Sequence, residues 1–142
     1  MKILIINGPN LNLLGTREPN KYGDRSLADL ERQLSEDFPT AEILFFQSNH
    51  EGEIIDRIHA AQGENVGGIV FNPAAFTFTS LAICEAIKAI KVRVIEVHLT
   101  NYQSHDRQQS IIVGACWGQI SGFGFLSYHL AVNALLLGSP IA

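Results

Sequence analysis

The sequence has 142 residues, of which 46% are hydrophobic and 17% are charged, and its formal net charge is −4 at pH 7. This length and composition are typical of one globular domain with its own core, so residues 1–142 are expected to form a single domain. The acidic balance excludes a basic surface for nucleic acid and a polybasic segment for an anionic membrane.

The beginning of the chain and its two cysteines indicate the cellular compartment. The apolar run at residues 3–6 is too short for the core of a signal peptide and is followed at once by Asn-Gly-Pro. Cys84 and Cys116 lack the spacing of metal ligands, and each lies in an apolar segment where a free thiol packs as a small hydrophobic group. We therefore expect a reduced cytoplasmic protein without a metal site.

The predicted secondary structure alternates between short apolar runs and helical patterns, which is typical of parallel strands joined by helical crossovers. Ser26 and Ser80 are the predicted N-caps of two helices, and Gly138 is the predicted end of the last helix. The sequence predicts an α/β fold, a flavodoxin-like three-layer sandwich around a five-stranded parallel sheet. In chain order, the predicted elements are a strand at 2–7, a helix at 27–38, a strand at 41–47, a helix around 54–61, a strand at 67–71, a helix around 81–90, strands at 93–97 and 118–122, and a helix at 126–137.

The first predicted strand leads into residues 8–23, a long connection with no obvious regular structure. Loops of this length in a compact domain are usually functional. The connection has neither the P-loop pattern nor the glycine spacing of a dinucleotide-binding turn. It carries Arg17 and Tyr22, and a guanidinium close to a phenol in a closed site favours the phenolate, which allows the tyrosine to act as a base. The alternative is that Arg17 is a surface charge and Tyr22 a packing residue.

Asn72 follows the third predicted strand and precedes a segment of small and hydroxyl residues that leads into the next helix. In parallel α/β sheets, ligands bind beyond the carboxyl ends of the strands. A helix N-terminus also offers free backbone donors that favour anions. The segment is therefore a candidate binding site, with simple capping by Thr79 or Ser80 as the alternative.

Glu96 and His98 stand at positions i and i+2 of the fourth predicted strand, so their side chains share one face near its end. A carboxylate beside an imidazole fixes the tautomer of the ring, which suits the histidine for general acid catalysis. A lone histidine is more often structural than catalytic, and that interpretation stays open at this point.

No Asp, Glu, Lys or Arg follows Arg107 in the last part of the chain. A membrane span would need about 18 or more consecutive apolar residues, and Gln119, Ser127 and Asn133 interrupt this segment. A helix without charges is expected to be buried on more than one side. The pattern therefore predicts homo-oligomerisation.

Several separated motifs carry a resemblance to one family. Asn7-Gly-Pro-Asn-Leu-Asn-Leu-Leu-Gly-Thr-Arg-Glu-Pro, continuing to Tyr22-Gly23, closely resembles the signature loop of type II 3-dehydroquinate dehydratases. The resemblance extends through residues 46–56, Asn72-Pro-Ala-Ala-Phe-Thr, Glu96-Val-His-Leu-Thr-Asn and Gly122-Phe-Gly, and so covers nearly the whole chain. It implies a lyase without a cofactor that converts 3-dehydroquinate to 3-dehydroshikimate by anti elimination through an enolate.

The resemblance also implies the catalytic roles. Tyr22 is the base that removes a proton from the carbon beside the ketone, and Arg17 stabilises its anionic form. His98, oriented by Glu96, protonates the departing hydroxyl group. Asn12, together with an ordered water, stabilises the negative charge of the enolate.

The implied substrate contacts are Asn72, the backbone around Leu99 and Thr100, and Arg107. Glu85 occupies a position where the family usually has an aspartate at a subunit contact. The family assembles as a dodecamer of trimers, in agreement with the uncharged last part of the chain.

Two departures from the family pattern leave other functions open. Phe78 stands where the family usually has a histidine, and the segment after Asn101 is shorter than the family's arginine-rich run, so that Arg107 is the candidate for the substrate-binding arginine. One alternative is a weakly active or inactive family member that binds a cyclic polyol carboxylate without efficient turnover. A flavodoxin-like electron carrier is a further alternative based on fold analogy alone. Roles in aromatic amino acid biosynthesis and in quinate catabolism are both compatible with the resemblance.

Overall fold

A computed structural model of the protein describes residues 1–16, 18–104 and 109–138, without the side chains of Lys21 and Tyr22. The strands are β1 (Lys2–Asn7), β2 (Glu42–Gln47), β3 (Gly68–Asn72), β4 (Val94–His98) and β5 (Gly118–Ser121). The helices are α1 (Pro19–Tyr22), α2 (Leu27–Asp37), α3 (Glu51–Gly63), α4 (Leu81–Lys88) and α5 (Leu126–Leu137).

The five strands form one sheet in the order β2-β1-β3-β4-β5, and each neighbouring pair is parallel. This is the strand order of the flavodoxin-like fold, so the predicted fold class is confirmed. The direction of winding reverses between β1 and β3. A crevice opens at such a reversal, beyond the carboxyl ends of the two strands, and it is the usual ligand site of this architecture.

Two helical layers cover the sheet because the strand side chains alternate between its faces. On one face, α2 and α5 pack against apolar side chains of β1, β3 and β4, among them Ile3, Val70 and Val97. On the other face, α3 and α4 pack against Leu4, Phe71 and other residues of the same strands. Each face thus has its own apolar core.

The helix boundaries follow the capping residues expected from the sequence. Ser26 accepts a hydrogen bond from the backbone N–H of Asp29, whose carboxylate in turn accepts from the backbone N–H of Ser26, and this capping box starts α2. The hydroxyl of Ser80 accepts from the backbone N–H of Ile83 and caps α4. The hydroxyl of Thr79 donates instead to the carbonyl oxygen of Ala75. Of the two candidate caps, Thr79 and Ser80, it is therefore Ser80 that caps α4.

The prediction that residues 8–23 lack regular structure was wrong in part. A 3-10 turn covers Leu11–Leu13 and α1 covers Pro19–Tyr22. Pro19 is the first residue of α1, where its fixed φ and missing N–H are tolerated, and Glu18 before it has a left-handed φ of 41°. An element of four residues shows no apolar periodicity, which explains why the sequence pattern did not predict it.

Cys84 is buried and Cys116 is partly buried, and both are free thiols in the structure. Burial raises the pKa of the Cys116 thiol to about 12, and the nearby Glu96 carboxylate acts in the same direction. A thiol with such a pKa stays protonated near neutral pH and behaves as an apolar group.

The last helix, α5, is covered on one side only within a single chain. Tyr128, Val132 and Leu135 are fully buried against the sheet, whereas Leu126 and Leu137 are largely exposed. Among the described residues, no helix is both long enough and apolar enough to cross a membrane.

Candidate active site

Each of three neighbouring strands has a polar residue at its carboxyl end. Asn7 is the last residue of β1, Asn72 of β3 and His98 of β4, and Asn7 and Asn72 are direct partners in the register of β1 and β3. This pair of amides therefore lies at the winding reversal, where the fold places its ligand crevice. Asn72 and His98 were predicted from the sequence as site residues, and Asn7 was not.

The two strand-end asparagines share one buried hydroxyl group. Tyr128, on α5, donates its hydroxyl hydrogen to Oδ1 of Asn7 at 2.6 Å and accepts a hydrogen bond from Nδ2 of Asn72 at 3.0 Å. The backbone N–H of Ala74 donates to Oδ1 of Asn72 at 3.1 Å. Burial raises the pKa of Tyr128 above its ordinary value, so the phenol keeps the hydrogen that Asn7 needs. These bonds fix which end of the Asn72 amide is the donor and which is the acceptor.

Replacing Tyr128 with Phe removes this hydroxyl while keeping the ring that fills the core. Asn7 Oδ1 then lacks its donor and Asn72 Nδ2 its acceptor in a place sealed from water, and such buried unpaired groups are costly. We expect the free energy of unfolding to fall by about 1–3 kcal/mol, measured by urea denaturation. A variant as stable as the wild type would show that the hydroxyl does not hold the two amides.

The segment that follows β1 is held close to the end of β3. The backbone N–H of Gly8 donates to the carbonyl of Asn72 at 2.8 Å. A Cβ at position 8 would lie 2.6 Å from the carbonyl oxygen of Pro73, so only glycine fits. Further along, the backbone N–H of Asn10 donates to Oδ1 of Asn49 just beyond β2. The 3-10 turn that carries Asn12 is thereby held above the carboxyl edge, with Asn12 itself exposed.

Glu96 and His98 form a hydrogen-bonded pair at the end of β4, as their i and i+2 spacing predicts. The distance from His98 Nε2 to Glu96 Oε2 is 2.8 Å, and both side chains are buried. The second oxygen, Oε1, accepts a hydrogen bond from the hydroxyl of Ser110 at 2.7 Å. A buried carboxylate needs such donors because it has lost its hydration.

Two further residues complete the surroundings of this pair. Nε2 of Gln119, on β5, donates to Glu96 Oε2 at 2.5 Å and lies 2.9 Å from the hydroxyl of Tyr102. The ring of Tyr102 packs against the imidazole of His98, with ring centroids 4.4 Å apart. The edge-on contact between Phe78 and Tyr102, at 5.6 Å, gives the phenyl ring of Phe78 a place in the aromatic packing around His98.

The amide pair and the Glu96–His98 pair project from opposite faces of the sheet. Ile3 and Ile5 of β1 pack in the core under α2 and α5, and the alternation of side chains puts Asn7 on the same face. Val94 of β4 packs in the core under α3 and α4, so Glu96 and His98 share that face. Both pairs lie at the carboxyl edge of the sheet, since Asn7, Asn72 and His98 each end a strand.

A cleft of about 550 Å³ opens at this edge, next to the connection between α1 and α2. Leu99 and Thr100, both predicted substrate contacts, lie in its wall, whereas His98 and Asn72 do not. Arg25 also lines it, and the Arg25 guanidinium stacks 4.2 Å above the ring of Phe125. Among the described residues, the cleft is lined by Gly23, Asp24, Arg25, Leu99, Thr100, Asn101, Ser104, Gly122, Gly124 and Phe125.

Comparison with known proteins identifies the family of this chain. The sequence profile of the family described as Dehydroquinase class II matches residues 1–136. The chain belongs to this family. A 3-dehydroquinate dehydratase of Caldicellulosiruptor saccharolyticus is 53% identical over 138 residues, which cover 94% of this chain and 95% of the relative. A 3-dehydroquinate dehydratase of Bacillus cereus is 50% identical, over 95% of this chain and 94% of the relative.

The solved structures agree with the family assignment. A type II dehydroquinase from Butyrivibrio crossotus superimposes with a TM-score of 0.93 at 42% identity, covering 96% of this chain and 97% of that chain. A type II dehydroquinase from Propionibacterium acnes gives a TM-score of 0.90 at 33% identity, over 94% of each chain. The predicted family resemblance is therefore confirmed.

The described part of the structure does not bring the remaining predicted site residues together. Arg17 and Arg107 lie outside the described residues, and of Tyr22 the structure describes only its place at the end of α1. Glu85 is on the exposed face of α4, where its carboxylate lies 3.5 Å from Nζ of Lys88, and it is not part of the cleft.

Proposed function

We propose that this class II dehydroquinase converts 3-dehydroquinate to 3-dehydroshikimate by anti elimination of water through an enolate. The observation that carries the proposal is the buried His98–Glu96 pair at the carboxyl edge of the sheet, beside the two amides at the winding reversal. A dehydration requires an acid that protonates the departing hydroxyl group and polar groups that hold the substrate ring. The names of the relatives support the same reaction.

In the proposed first step, Tyr22 removes a proton from the carbon next to the ketone. A free tyrosine has a pKa near 10, so a base that works near neutral pH needs a neighbouring positive charge. Arg17 is the proposed source of that charge, because a guanidinium stays protonated at every relevant pH and stabilises a phenolate in a water-poor site. The position of α1 beside the cleft supports this assignment, since Gly23 directly after Tyr22 lines the cleft wall.

In the second step, His98 donates a proton to the departing hydroxyl group. Because Nε2 is bound to Glu96, the nitrogen left for the substrate is Nδ1. The Glu96 carboxylate fixes this tautomer and stabilises the protonated imidazole before the transfer. Base and acid act from opposite faces of the substrate ring, as an anti elimination demands, when the substrate lies across the carboxyl edge.

The remaining sequence-predicted residues are assigned to binding and to charge stabilisation. Asn12 is exposed on its 3-10 turn, and with a water molecule it is proposed to stabilise the enolate oxygen. Asn72, whose amide orientation is fixed by Tyr128 and Ala74, is proposed to hold a substrate hydroxyl. Leu99 and Thr100 in the cleft wall are proposed to contact the substrate carboxylate. Arg107 is the proposed arginine for a substrate hydroxyl or carboxylate.

We also propose that the protein is a homo-oligomer in the cytoplasm, a dodecamer built from trimers. The exposed apolar side chains of α5 and of the turns near β5, among them Trp117, Phe123, Leu126 and Leu137, support an interface between copies. In such an assembly Glu85, exposed in the single chain, is proposed to reach the site of a neighbouring copy.

The proposed reaction is tested by adding 3-dehydroquinate to the purified protein and following the ultraviolet absorbance of the conjugated enone product. We expect saturable turnover with this substrate and none with quinate, which has the same ring and carboxylate but no ketone to acidify the neighbouring carbon. Absence of turnover, with binding of the substrate seen by calorimetry, would contradict the proposal and select the binding protein without efficient turnover.

A further inference from the structure

Glu96 has a neighbour on the adjacent strand that the dehydration scheme does not use. Gln119, on the adjacent strand β5, is opposite Glu96 in the register of β4 and β5. Its Nε2 lies 2.5 Å from the same oxygen, Oε2, that accepts the hydrogen bond of His98. Glu96 is fully buried, so the strength and direction of its bond to His98 depend on these neighbours rather than on water.

The chemistry of the two groups fixes the orientation of the Gln119 amide. An ionised carboxylate only accepts hydrogen bonds, so the NH₂ group of the amide, and not its oxygen, must face Glu96. The second amide hydrogen then points to the Tyr102 hydroxyl oxygen at 2.9 Å. One NH₂ group thus joins a buried carboxylate to a buried phenol.

Tyr102 in turn contacts the imidazole directly. Its ring centroid is 4.4 Å from that of His98, with the planes tilted by 50°. Phe78 packs edge-on against the Tyr102 ring, with the ring centroids 5.6 Å apart. His98 is therefore held at Nε2 by Glu96 and at its ring face by Tyr102, while Gln119 links these two supports to each other.

We propose that Gln119 and Tyr102 are positioning residues for proton donation by His98. Gln119 holds the Glu96 carboxylate at the angle that presents Nδ1 of His98 to the substrate, and the Tyr102 hydroxyl holds Gln119. This inference rests on the proposed dehydration and adds to it two residues that act through Glu96 and His98. Small displacements of a catalytic group are enough to slow a reaction strongly. Loss of the hydrogen bonds made by Gln119 and Tyr102 is therefore expected to lower the rate of the chemical step.

The first variant is Gln119→Met, which keeps the length of the side chain and removes both donors. We expect kcat to fall about tenfold or more, because a hydrogen bond to a charged group is lost, and KM to stay within about twofold. Gln62→Met is the matched control. Gln62 accepts a hydrogen bond from the backbone N–H of Lys91 at its Oε1 but lies outside the site, so its replacement is expected to leave kcat and KM unchanged.

The second variant is Tyr102→Phe, which keeps the ring against His98 and removes only the hydroxyl. We expect kcat to fall about threefold, since Gln119 keeps its direct bond to Glu96. Once Gln119→Met is in place, the Tyr102 hydroxyl has no Gln119 to hold, so adding Tyr102→Phe is expected to leave kcat equal to that of Gln119→Met alone. Such non-additivity is the signature of one residue acting through the other.

Several outcomes would overturn the positioning role. They are a wild-type kcat in folded Gln119→Met, a change in KM alone, and single-variant effects that multiply in the double variant. If Gln119→Met does not fold, as judged by thermal denaturation, Tyr102→Phe decides, and an unchanged kcat in that variant contradicts the proposal. Absence of turnover by the wild type in the same assay refutes the proposed dehydration itself, which separates the two claims.

Discussion

The Tyr22→Phe variant is expected to dehydrate 3-dehydroquinate about 10²–10⁴-fold more slowly than the wild type, the range typical for loss of a general base. The phenylalanine keeps the ring but has no oxygen that can take the proton from the carbon beside the ketone. The loss is expected in kcat, because proton removal belongs to the chemical step and not to binding. The measurement is the initial rate of enone formation at saturating substrate.

A variant of a neighbouring residue serves as the control for Tyr22→Phe. Asn20 lies in the same short helix, is exposed, and has no role in the proposed reaction, so Asn20→Ala is expected to retain the wild-type rate. A comparable loss in both variants would point to a disturbed α1 rather than a lost base. A Tyr22→Phe variant within about tenfold of the wild type would rule out Tyr22 as the base.

The second large effect is expected from Glu96→Gln. The carboxylate receives hydrogen bonds from His98, Ser110 and Gln119, and an amide has only one accepting oxygen for these three donors. At least one donor then faces another donor, and His98 loses the group that fixes its tautomer. We expect kcat to fall about 10²–10⁴-fold, as when the carboxylate that orients a catalytic histidine is replaced by an amide.

The same substitution also tests the folding role of Glu96. A buried donor without a partner costs about 1–3 kcal/mol, so we expect the free energy of unfolding to fall by about that amount in urea denaturation. Circular dichroism at the assay temperature shows whether the variant is folded while it is assayed. Folded Glu96→Gln with a wild-type kcat would show that the tautomer of His98 does not limit the reaction.

The fold was predictable because its elements are encoded locally. Residues 3–6 are a continuous apolar run because β1 is buried on both faces, and such a run is the usual pattern of a central parallel strand. Ser26 and Ser80 start α2 and α4 by accepting hydrogen bonds from the backbone N–H three residues later. A serine directly before a helical pattern is visible in the sequence, so both helix starts could be predicted. The flavodoxin-like class was predicted from the helical connections together with the rule of right-handed crossovers, and the observed strand order is that of this class.

The candidate site was predictable where its residues are neighbours in the chain. Glu96 and His98 are two positions apart on one strand, so their contact follows from the alternation of side chains. Asn7 had a weaker signal, an amide directly after an apolar strand, which points to a strand end facing the crevice.

The rest of the site depends on contacts between distant parts of the chain. Tyr128 reaches Asn7 across 121 positions, and Gln119 reaches Glu96 across 23. Nothing in a helical pattern distinguishes a tyrosine that bonds to two strand ends from one that only fills the core. Glu85, in contrast, was assigned to the site from the family resemblance and not from a local pattern. Its side chain is exposed in the single chain.

The most direct test of the mechanism is the turnover of 3-dehydroquinate that carries deuterium at one defined position of the carbon beside the ketone. With Tyr22 and His98 acting on opposite faces of the ring, the product loses the deuterium that is anti to the departing hydroxyl group and keeps the one that is syn. Mass spectrometry of the product from each labelled substrate gives the answer. Loss of the syn deuterium would contradict a base and an acid placed on opposite faces.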